Sequence, residues 1–195
     1  MLKWVTSFTQ KFEDRALGSP VVYNLLEKYY KSTVENEQIL GSITQADHML
    51  CIGGGICPLS AILFSQNTGA KVTVIDNNLD CVTKAKQAVA HLGLSDQIRV
   101  LHQDGAESHM DFAQFSVVHL ALQVSPLDKV FTFIDSKIAP GTRVLVRRPK
   151  QRLKGLYCQL SQGLLACCPY TTHSLCNTGT TLLYVKDGKD IAPAA

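Results

Sequence analysis

Glycines and carboxylates follow three short apolar runs of the sequence. The run His48–Ile52 is followed by three consecutive glycines, the second run ends at Asp76–Asn77, and the third ends at Asp104–Gly105. Glycine allows a tight turn and lets a ligand approach the backbone, because no Cβ stands in the way. A carboxylate after the second run can accept both hydroxyls of a ribose, and one after the third can face an adenine amino group. The pattern therefore predicts a nucleoside-binding edge.

A basic cluster follows a later apolar run. Its members are Arg143, Arg147, Arg148, Lys150, Arg152 and Lys154. Arg147 and Arg148 come at the end of a predicted strand, where an arginine can hold a carboxylate by two parallel hydrogen bonds. We therefore predict Arg147 and Arg148 as substrate-binding residues, one or both of which hold a carboxylate that belongs either to the cofactor or to a substrate. A solvated basic face is the alternative, and no interleaved aromatic residues favour an RNA-binding patch.

Tyr29, Tyr30 and Glu37 lie on a predicted helix before the first strand and are the candidates for catalysis. Transfer of a carbon group to an amine needs a nearby base that takes the proton, and these side chains can supply it. The alternative places the tyrosines in the core and the glutamates in solvent. His119, inside the fourth apolar run, is interpreted as a hydrogen-bonded core histidine. The histidines show no ligand spacing, so no metal site is predicted.

The elements that must position these residues alternate between strands and helices. Strands are predicted at His48–Ile52, Lys71–Ile75, Gln97–Leu101, Phe115–Leu122 and Thr142–Arg147. Helices are predicted after Pro58 and at Leu79–Leu92 and Lys129–Ile138. Such alternation is typical of a parallel sheet covered on both faces. Two further strands, Tyr170–Cys176 and Thr180–Val185, flank an Asn-Thr-Gly turn and predict an antiparallel hairpin.

The first 40 residues predict two helices rather than strands. Trp4, Val5, Phe8 and Phe12 fall on one helical face, and a second helix runs from about Val21 to Leu40. They pack against the sheet or form a lid over the site. The sequence thus predicts an α/β fold, a Rossmann-like three-layer α/β/α arrangement whose mostly parallel sheet ends in a C-terminal antiparallel hairpin. Residues 1–40 form an N-terminal helical segment, and residues 41–190 form the ligand-binding domain.

Composition narrows the class of protein. The 195 residues suit one domain, and a formal net charge of +3 is too small to argue nucleic-acid binding. Seven cysteines, an odd number without a CxxC pair, argue against a disulfide framework and favour a reducing, cytoplasmic setting. The N-terminus does not read as a signal peptide, and no apolar stretch approaches the roughly 18 residues that a membrane span needs.

The predicted nucleoside-binding site lacks two features of NAD-binding sites. The dinucleotide fingerprint requires a third glycine three positions after the second, for close packing of helix and strand. Pro58 occupies that position, three residues after Gly55. The terminal hairpin also replaces the second mononucleotide-binding half that NAD-binding folds use.

Three motifs and the hairpin resemble the class I S-adenosylmethionine-dependent methyltransferase fold over about residues 40–186. The motifs are HMLCIGGGICPLSAILF, VTVIDNN and VLHQDGA. The chain departs from the usual Gly-x-Gly-x-Gly at the third glycine, where Cys57 stands. The resemblance implies S-adenosyl-L-methionine as cofactor, bound by Gly53, Gly54, Gly55, Asp76, Asn77, Asp104, Gly105 and Leu120.

A looser resemblance links the chain to the nicotianamine synthase family. The motifs GGGICPLS, VVHLALQV and RVLVRRPKQRLKGLY are similar to that family, which shares the fold but transfers the aminocarboxypropyl group. The wider resemblance implies a methyltransferase acting on a small molecule, and the looser one implies an aminocarboxypropyl transferase. A non-catalytic cofactor-binding module is the third alternative. We expect no membrane or nucleic-acid partner, and a homodimer is left open.

Overall fold

The computed structural model describes residues 19–158, 160 and 168–187. The helices are α1 (Pro20–Leu40), α2 (Leu59–Thr68), α3 (Leu79–His91) and α4 (Leu127–Asp135). The strands are β1 (His48–Ile52), β2 (Lys71–Asp76), β3 (Ile98–His102), β4 (Val117–Leu120), β5 (Arg143–Pro149), β6 (Tyr170–Thr172) and β7 (Thr178–Val185). Short 3-10 helices cover Phe112–Gln114 and Gln151–Leu156. The helix predicted around Trp4 and Phe12 lies outside the described residues.

The seven strands form one sheet in the order β3-β2-β1-β4-β5-β7-β6. The first five strands pair in parallel, whereas β7 runs antiparallel between β5 and β6. The order reverses at β1 and β4, and such a switch point is where α/β sheets bind ligands. The predicted Rossmann-like sheet with a terminal antiparallel hairpin is confirmed.

Each face of the sheet packs against helices. Alternate side chains of the strands pack with α1, α2 and α3 on one face, among them Met49, Val74 and Leu145. Their neighbours Leu50 and Val146 pack with α4 on the other face. Because strand side chains alternate between faces, a strand buried on both faces needs an almost continuous apolar run. The runs that predicted the strands have that property.

The helix ends follow local sequence signals. The Asn78 side chain caps α3 by accepting hydrogen bonds from the amides of Asp80 and Cys81. At its other end, Gly93 has a φ of +69°, and the Leu94 amide donates to the Val89 carbonyl. This is the Schellman arrangement that a glycine followed by an apolar residue predicts.

Two strands are shorter than predicted because side chains and a short helix compete for the backbone. β4 begins at Val117 rather than Phe115, since Phe115 closes the preceding 3-10 helix. β6 ends at Thr172 rather than Cys176, and the Cys176 amide donates instead to the Tyr29 hydroxyl. In the described part of the chain, no helix is long and apolar enough to cross a membrane.

Candidate functional site

A cavity of about 280 Å³ lies at the carboxyl ends of β1, β2, β3 and β4. The cofactor-binding residues predicted from sequence line it, with one exception: Gly53, Gly54, Gly55, Asp76, Asn77, Asp104 and Gly105. Their assembly follows from the parallel topology, because consecutive parallel strands end at the same edge of the sheet. Residues of α1 and of the β6–β7 connection complete the wall.

The glycine turn between β1 and α2 depends on the absence of side chains. Gly53 and Gly55 have φ values of +84° and +65°, in the left-handed region that favours glycine. A Cβ on Gly54 would lie 2.3 Å from Cγ1 of Val74, so the turn sits directly against β2. The Gly53 amide donates to the Ile75 carbonyl at 2.9 Å. The turn is thus built into the sheet.

Asp76 joins the glycine turn to the start of α3. Its two carboxylate oxygens accept hydrogen bonds of 2.9 Å from the amides of Gly55 and Asn78. Each oxygen keeps a further lone pair, and the side chain is partly exposed toward the cavity. Asp104 accepts a bond from the Ala106 amide at 2.8 Å with one oxygen. Both carboxylates can therefore accept hydrogen bonds from a ligand.

Leu120 does not line the cavity, unlike the other predicted cofactor-binding residues. Its side chain is fully buried in the core that faces α4. Its neighbours His119 and Ala121 line the cavity instead. The alternation of strand side chains explains the difference, because residues on either side of Leu120 point to the opposite face.

A buried polar cluster lies next to the cavity, and its centre is Glu37, which has no exposed surface. Arg147 donates to both Glu37 oxygens, from Nε and Nη2, at 2.7 Å each. The Thr181 hydroxyl donates to Oε1 at 2.6 Å. His119 Nε2 and His173 Nε2 lie 3.5 Å and 3.9 Å from the carboxylate oxygens. We call these five residues the Glu37 cluster.

Electrostatics fix the protonation states in the Glu37 cluster. Burial by itself raises the pKa of Glu37, but the charge and hydrogen bonds of Arg147, together with His119, hold that pKa well below its usual range. Burial and the nearby Arg147 charge lower the pKa of His119. The cluster at neutral pH therefore contains a carboxylate, a guanidinium and a neutral His119 imidazole.

The predicted substrate-binding arginines occupy different surroundings. Arg147 lines the cavity, but Glu37 already occupies its guanidinium fork. Arg148 points to the other face of β5 and is not among the cavity-lining residues. The Arg147 fork is therefore not open to a ligand carboxylate in this arrangement, whereas no hydrogen bond to a carboxylate occupies the Arg148 fork among the described residues. Their roles in substrate binding stay predictions.

The predicted catalytic residues are also separated. Tyr30 lines the cavity, and the Arg147 guanidinium carbon lies 5.8 Å from its ring centre. Tyr29 is 38% exposed and accepts the Cys176 hydrogen bond with its hydroxyl. Glu37 is buried behind Arg147 and His119 rather than in the cavity wall. The structure thus brings Tyr30 to the site and places Glu37 one layer behind it.

Several cavity residues were not predicted from the sequence. Gln103 and Asn78 adjoin the predicted motifs and follow from the strand ends themselves. Asn177 and Thr178 reach the site from the end of the β6–β7 connection and the start of β7, and His119 was interpreted from the sequence as a core histidine. Only the strand order brings these distant segments together. The described residues contain no His, Cys, Asp and Glu group that could hold a metal ion.

Comparison with known proteins adds one curated relative. No protein-family profile matches the chain. A probable cobalt-precorrin-6B C(15)-methyltransferase (decarboxylating) of Methanobrevibacter smithii is 25% identical over 105 residues. The match covers 54% of this chain and 55% of that protein. The chain thus matches about half the length of this curated relative.

Solved structures resemble the fold more completely. A point mutant of MtNAS, a nicotianamine synthase, in complex with S-adenosylmethionine superposes with a TM-score of 0.77 at 22% identity, over 95% of this chain and 74% of that one. An RNA methyltransferase from Salinibacter ruber in complex with S-adenosyl-L-homocysteine gives a TM-score of 0.67 at 20% identity, over 84% of this chain and 95% of that one. With the observed strand order, these likenesses show that the chain has the class I S-adenosylmethionine-dependent methyltransferase fold.

Proposed function

We propose that this chain binds S-adenosylmethionine at the carboxyl edge of its sheet and transfers the methyl group to a small molecule. The proposal is based on one observation: the Gly53–Gly55 turn, Asp76 and Asp104 line the same cavity. The curated relative and the solved structures, whose names describe enzymes of this type, support it. The chain is thus proposed to be an enzyme and not a non-catalytic cofactor-binding module.

The chemistry of the lining residues fits this cofactor. Asp76 has free lone pairs for two ribose hydroxyls, and Asp104 has an oxygen free for an adenine amino group. Apolar residues Ile52, Ile75 and Val130 supply walls for a flat base. Gly53 and Gly55 would hold the part of the cofactor that passes over the turn.

Little covalent assistance is needed from the protein. The bound sulfonium would supply a carbon already activated toward attack, so the site must align an acceptor and exclude water. A cavity of about 280 Å³ lies near the lower end of small-molecule sites, which span roughly 300–1,000 Å³. The cofactor itself would fill most of this volume, and the proposed acceptor is a small molecule.

Aminocarboxypropyl transfer is the second candidate, and one observation favours it. The likeness to MtNAS covers 95% of the chain, more than the 84% covered by the RNA methyltransferase. Helix α1 contributes Leu26 and Tyr30 to the cavity wall. A helix that closes the site is where an acceptor specific to this reaction would be held.

The by-product identifies the reaction. The protein is incubated with S-adenosylmethionine and a small-molecule filtrate of cell extract, and the products are separated by mass spectrometry. S-Adenosylhomocysteine indicates methyl transfer, and methylthioadenosine indicates aminocarboxypropyl transfer. The control is Gly55→Val, because a branched residue is strained at a φ of +65° and a cofactor over the turn would meet it. Absence of both by-products would contradict the proposal and favour a non-catalytic module.

The cellular setting and the partners follow from the same proposal. None of the six cysteines in the described ranges forms a disulfide, which supports a reducing, cytoplasmic setting. A carboxylate on the acceptor stays a prediction, with Arg148 as the candidate, because Arg148, unlike Arg147, forms no ion pair with a carboxylate among the described residues. Gel filtration with light scattering tests the homodimer that the sequence left open.

A further inference from the structure

His119 combines access to the cavity with an unsatisfied nitrogen. It lies at the carboxyl end of β4, lines the cavity and is 2% exposed. Its Nε2 has no hydrogen-bond partner, although Glu37 Oε2 lies 3.5 Å away. A buried polar atom without a partner is rare in folded proteins, because it loses its bonds to water without replacement. Glu37 Oε2 is the protein acceptor that lies toward Nε2, so this nitrogen faces the carboxylate rather than a ligand.

Glu37 is held rigidly behind the imidazole. Arg147 and Thr181 supply three hydrogen bonds of 2.6 to 2.7 Å, and they fix the carboxylate with Oε2 toward His119. A carboxylate behind an imidazole selects the ring tautomer and stabilises the imidazolium once it forms. With the Nε2 hydrogen directed at Glu37, Nδ1 is the nitrogen that keeps a lone pair.

We propose that His119 accepts the proton that the acceptor loses during transfer, and that Glu37 is its positioning residue. The inference deepens the proposed function and depends on it. It applies to an acceptor that attacks through an N–H or O–H group, whichever carbon is transferred. Glu37 acts through His119 and does not itself touch the acceptor.

The step balances in atoms and charge. The acceptor lone pair forms the new bond to carbon, and the carbon–sulfur electron pair returns to sulfur, which becomes a neutral thioether. The proton leaves the acceptor atom for His119, which becomes an imidazolium. One positive charge disappears at sulfur while one appears on the ring, so the net charge of the closed site does not change. Such a site avoids the cost of creating a new buried charge.

The surroundings of the ring match this role. The charged and titratable groups around it are Glu37 and Tyr30 of α1, Cys51 of β1, Arg147 of β5 and His173 after β6. Burial and Arg147 lower the pKa of His119, which keeps the ring neutral and its lone pair available, whereas Glu37 raises that pKa. Loss of the Glu37 charge should therefore make the ring a weaker base.

The test compares His119→Asn and Glu37→Gln with His48→Asn. His48 is a partly buried histidine at the start of β1, far from the lining residues, and is the matched control. Rates of by-product formation are measured in single turnovers with S-adenosylmethionine and the extract filtrate. S-Adenosylhomocysteine affinity is measured by calorimetry. We expect His119→Asn to be slower by at least about 100-fold, with affinity within threefold of the parent, and His48→Asn to match the parent.

A second readout does not depend on turnover. Nitrogen-15 NMR of the histidine rings, with S-adenosylhomocysteine bound, should show a neutral His119 ring at pH 7 whose pKa falls further in Glu37→Gln. A charged His119 ring at pH 7, or a His119→Asn rate within threefold of the parent, would overturn the assignment. Failure of the parent to bind S-adenosylhomocysteine would instead refute the proposed function, so the two failures are distinguishable. If His119→Asn does not fold, a charged His119 ring in the NMR titration of the parent would still overturn the assignment.

Discussion

Asp76 links the predicted ribose site to the glycine turn through its two oxygens. Asp76→Ala removes the acceptor for two ribose hydroxyls, a loss of about 2–3 kcal/mol of binding free energy. We expect S-adenosylhomocysteine to bind roughly 30- to 100-fold more weakly in calorimetry. The fold should survive, because the residue ends its strand and is partly exposed.

The matched control for Asp76 is Asp96→Ala. Asp96 is exposed, precedes β3 and is not among the lining residues. The Asp96→Ala variant should bind S-adenosylhomocysteine as tightly as the parent. This control separates the loss of a local contact from the general effect of removing one negative charge. Equal affinities for the parent and Asp76→Ala would show that the ribose lies elsewhere.

The ion pair of Glu37 and Arg147 predicts a large stability effect. Glu37→Gln leaves the buried Arg147 charge without its counter-charge, and breaking a buried pair costs about 3–5 kcal/mol. Urea denaturation at pH 7 should show this loss in the free energy of unfolding. Glu35→Gln, two residues away on the exposed side of α1, should change it little. A loss below about 1 kcal/mol would mean that the pair is not formed.

The same variant has a predictable pH dependence. Burial raises the pKa of Glu37, but Arg147 and His119 outweigh burial and lower it below its ordinary value of 4.5. A depressed pKa stabilises the folded state fully above the unfolded value, and that stabilisation is lost as the pH falls through the folded value. The stability gap between the parent and Glu37→Gln should therefore be constant at neutral pH and narrow below about pH 4.5. A gap that widens in acid would contradict the assignment.

At the scale of elements, the packing of the β1–α2 turn against β2 can be tested through Gly54. Gly54→Ala places a Cβ 2.3 Å from Cγ1 of Val74, so the turn or the strand must shift. Overpacking of this kind costs about 1–3 kcal/mol. Urea denaturation should show that loss, whereas Gly155→Ala, which meets nothing within 4 Å, should not.

A double variant separates the contact from other causes. Val74→Ala removes the Cγ1 atom that the new Cβ would meet. If the contact is the cause, Gly54→Ala together with Val74→Ala should be less destabilising than the sum of the single variants. Simple additivity would show that Gly54→Ala acts through something other than Val74.

The elements were predictable wherever local signals set them. Apolar runs located all five parallel strands, and Gly93 with Leu94 marked the end of α3. Ends controlled by distant partners were not predictable. Cys176, which the sequence placed in the strand, donates its amide to the Tyr29 hydroxyl instead, and the two residues are 147 positions apart in the chain. No local pattern contains that information.

The same distinction holds for the candidate site. Gly53, Asp76 and Asp104 could be predicted because each follows its own strand in a fixed way. Leu120 also follows from its strand, but its side chain points to the face away from the cavity, and its role in cofactor binding stays a prediction. The pairing of Arg147 with Glu37 joins β5 to α1 across 110 residues, so the sequence showed two charges but not their contact.

For the molecule as a whole, the proposed function depends on which nucleoside-containing cofactor binds at the carboxyl edge of the sheet. The fold is shared by proteins of many activities, so fold alone does not decide function. The residue that distinguishes the candidates is Pro58, which stands where NAD-binding folds have glycine, because the Asp76 carboxylate can hold a ribose of either cofactor. Direct binding of the competing cofactors therefore tests the account more sharply than any single variant.

That measurement is titration calorimetry of the purified protein with S-adenosylhomocysteine and, separately, with NAD. We predict one site for S-adenosylhomocysteine, at least about tenfold tighter than any binding of NAD, which corresponds to about 1.4 kcal/mol. Gly55→Val should abolish the S-adenosylhomocysteine signal while keeping the folded far-UV spectrum. Tighter binding of NAD, or no binding of S-adenosylhomocysteine by the folded parent, would contradict the central claim.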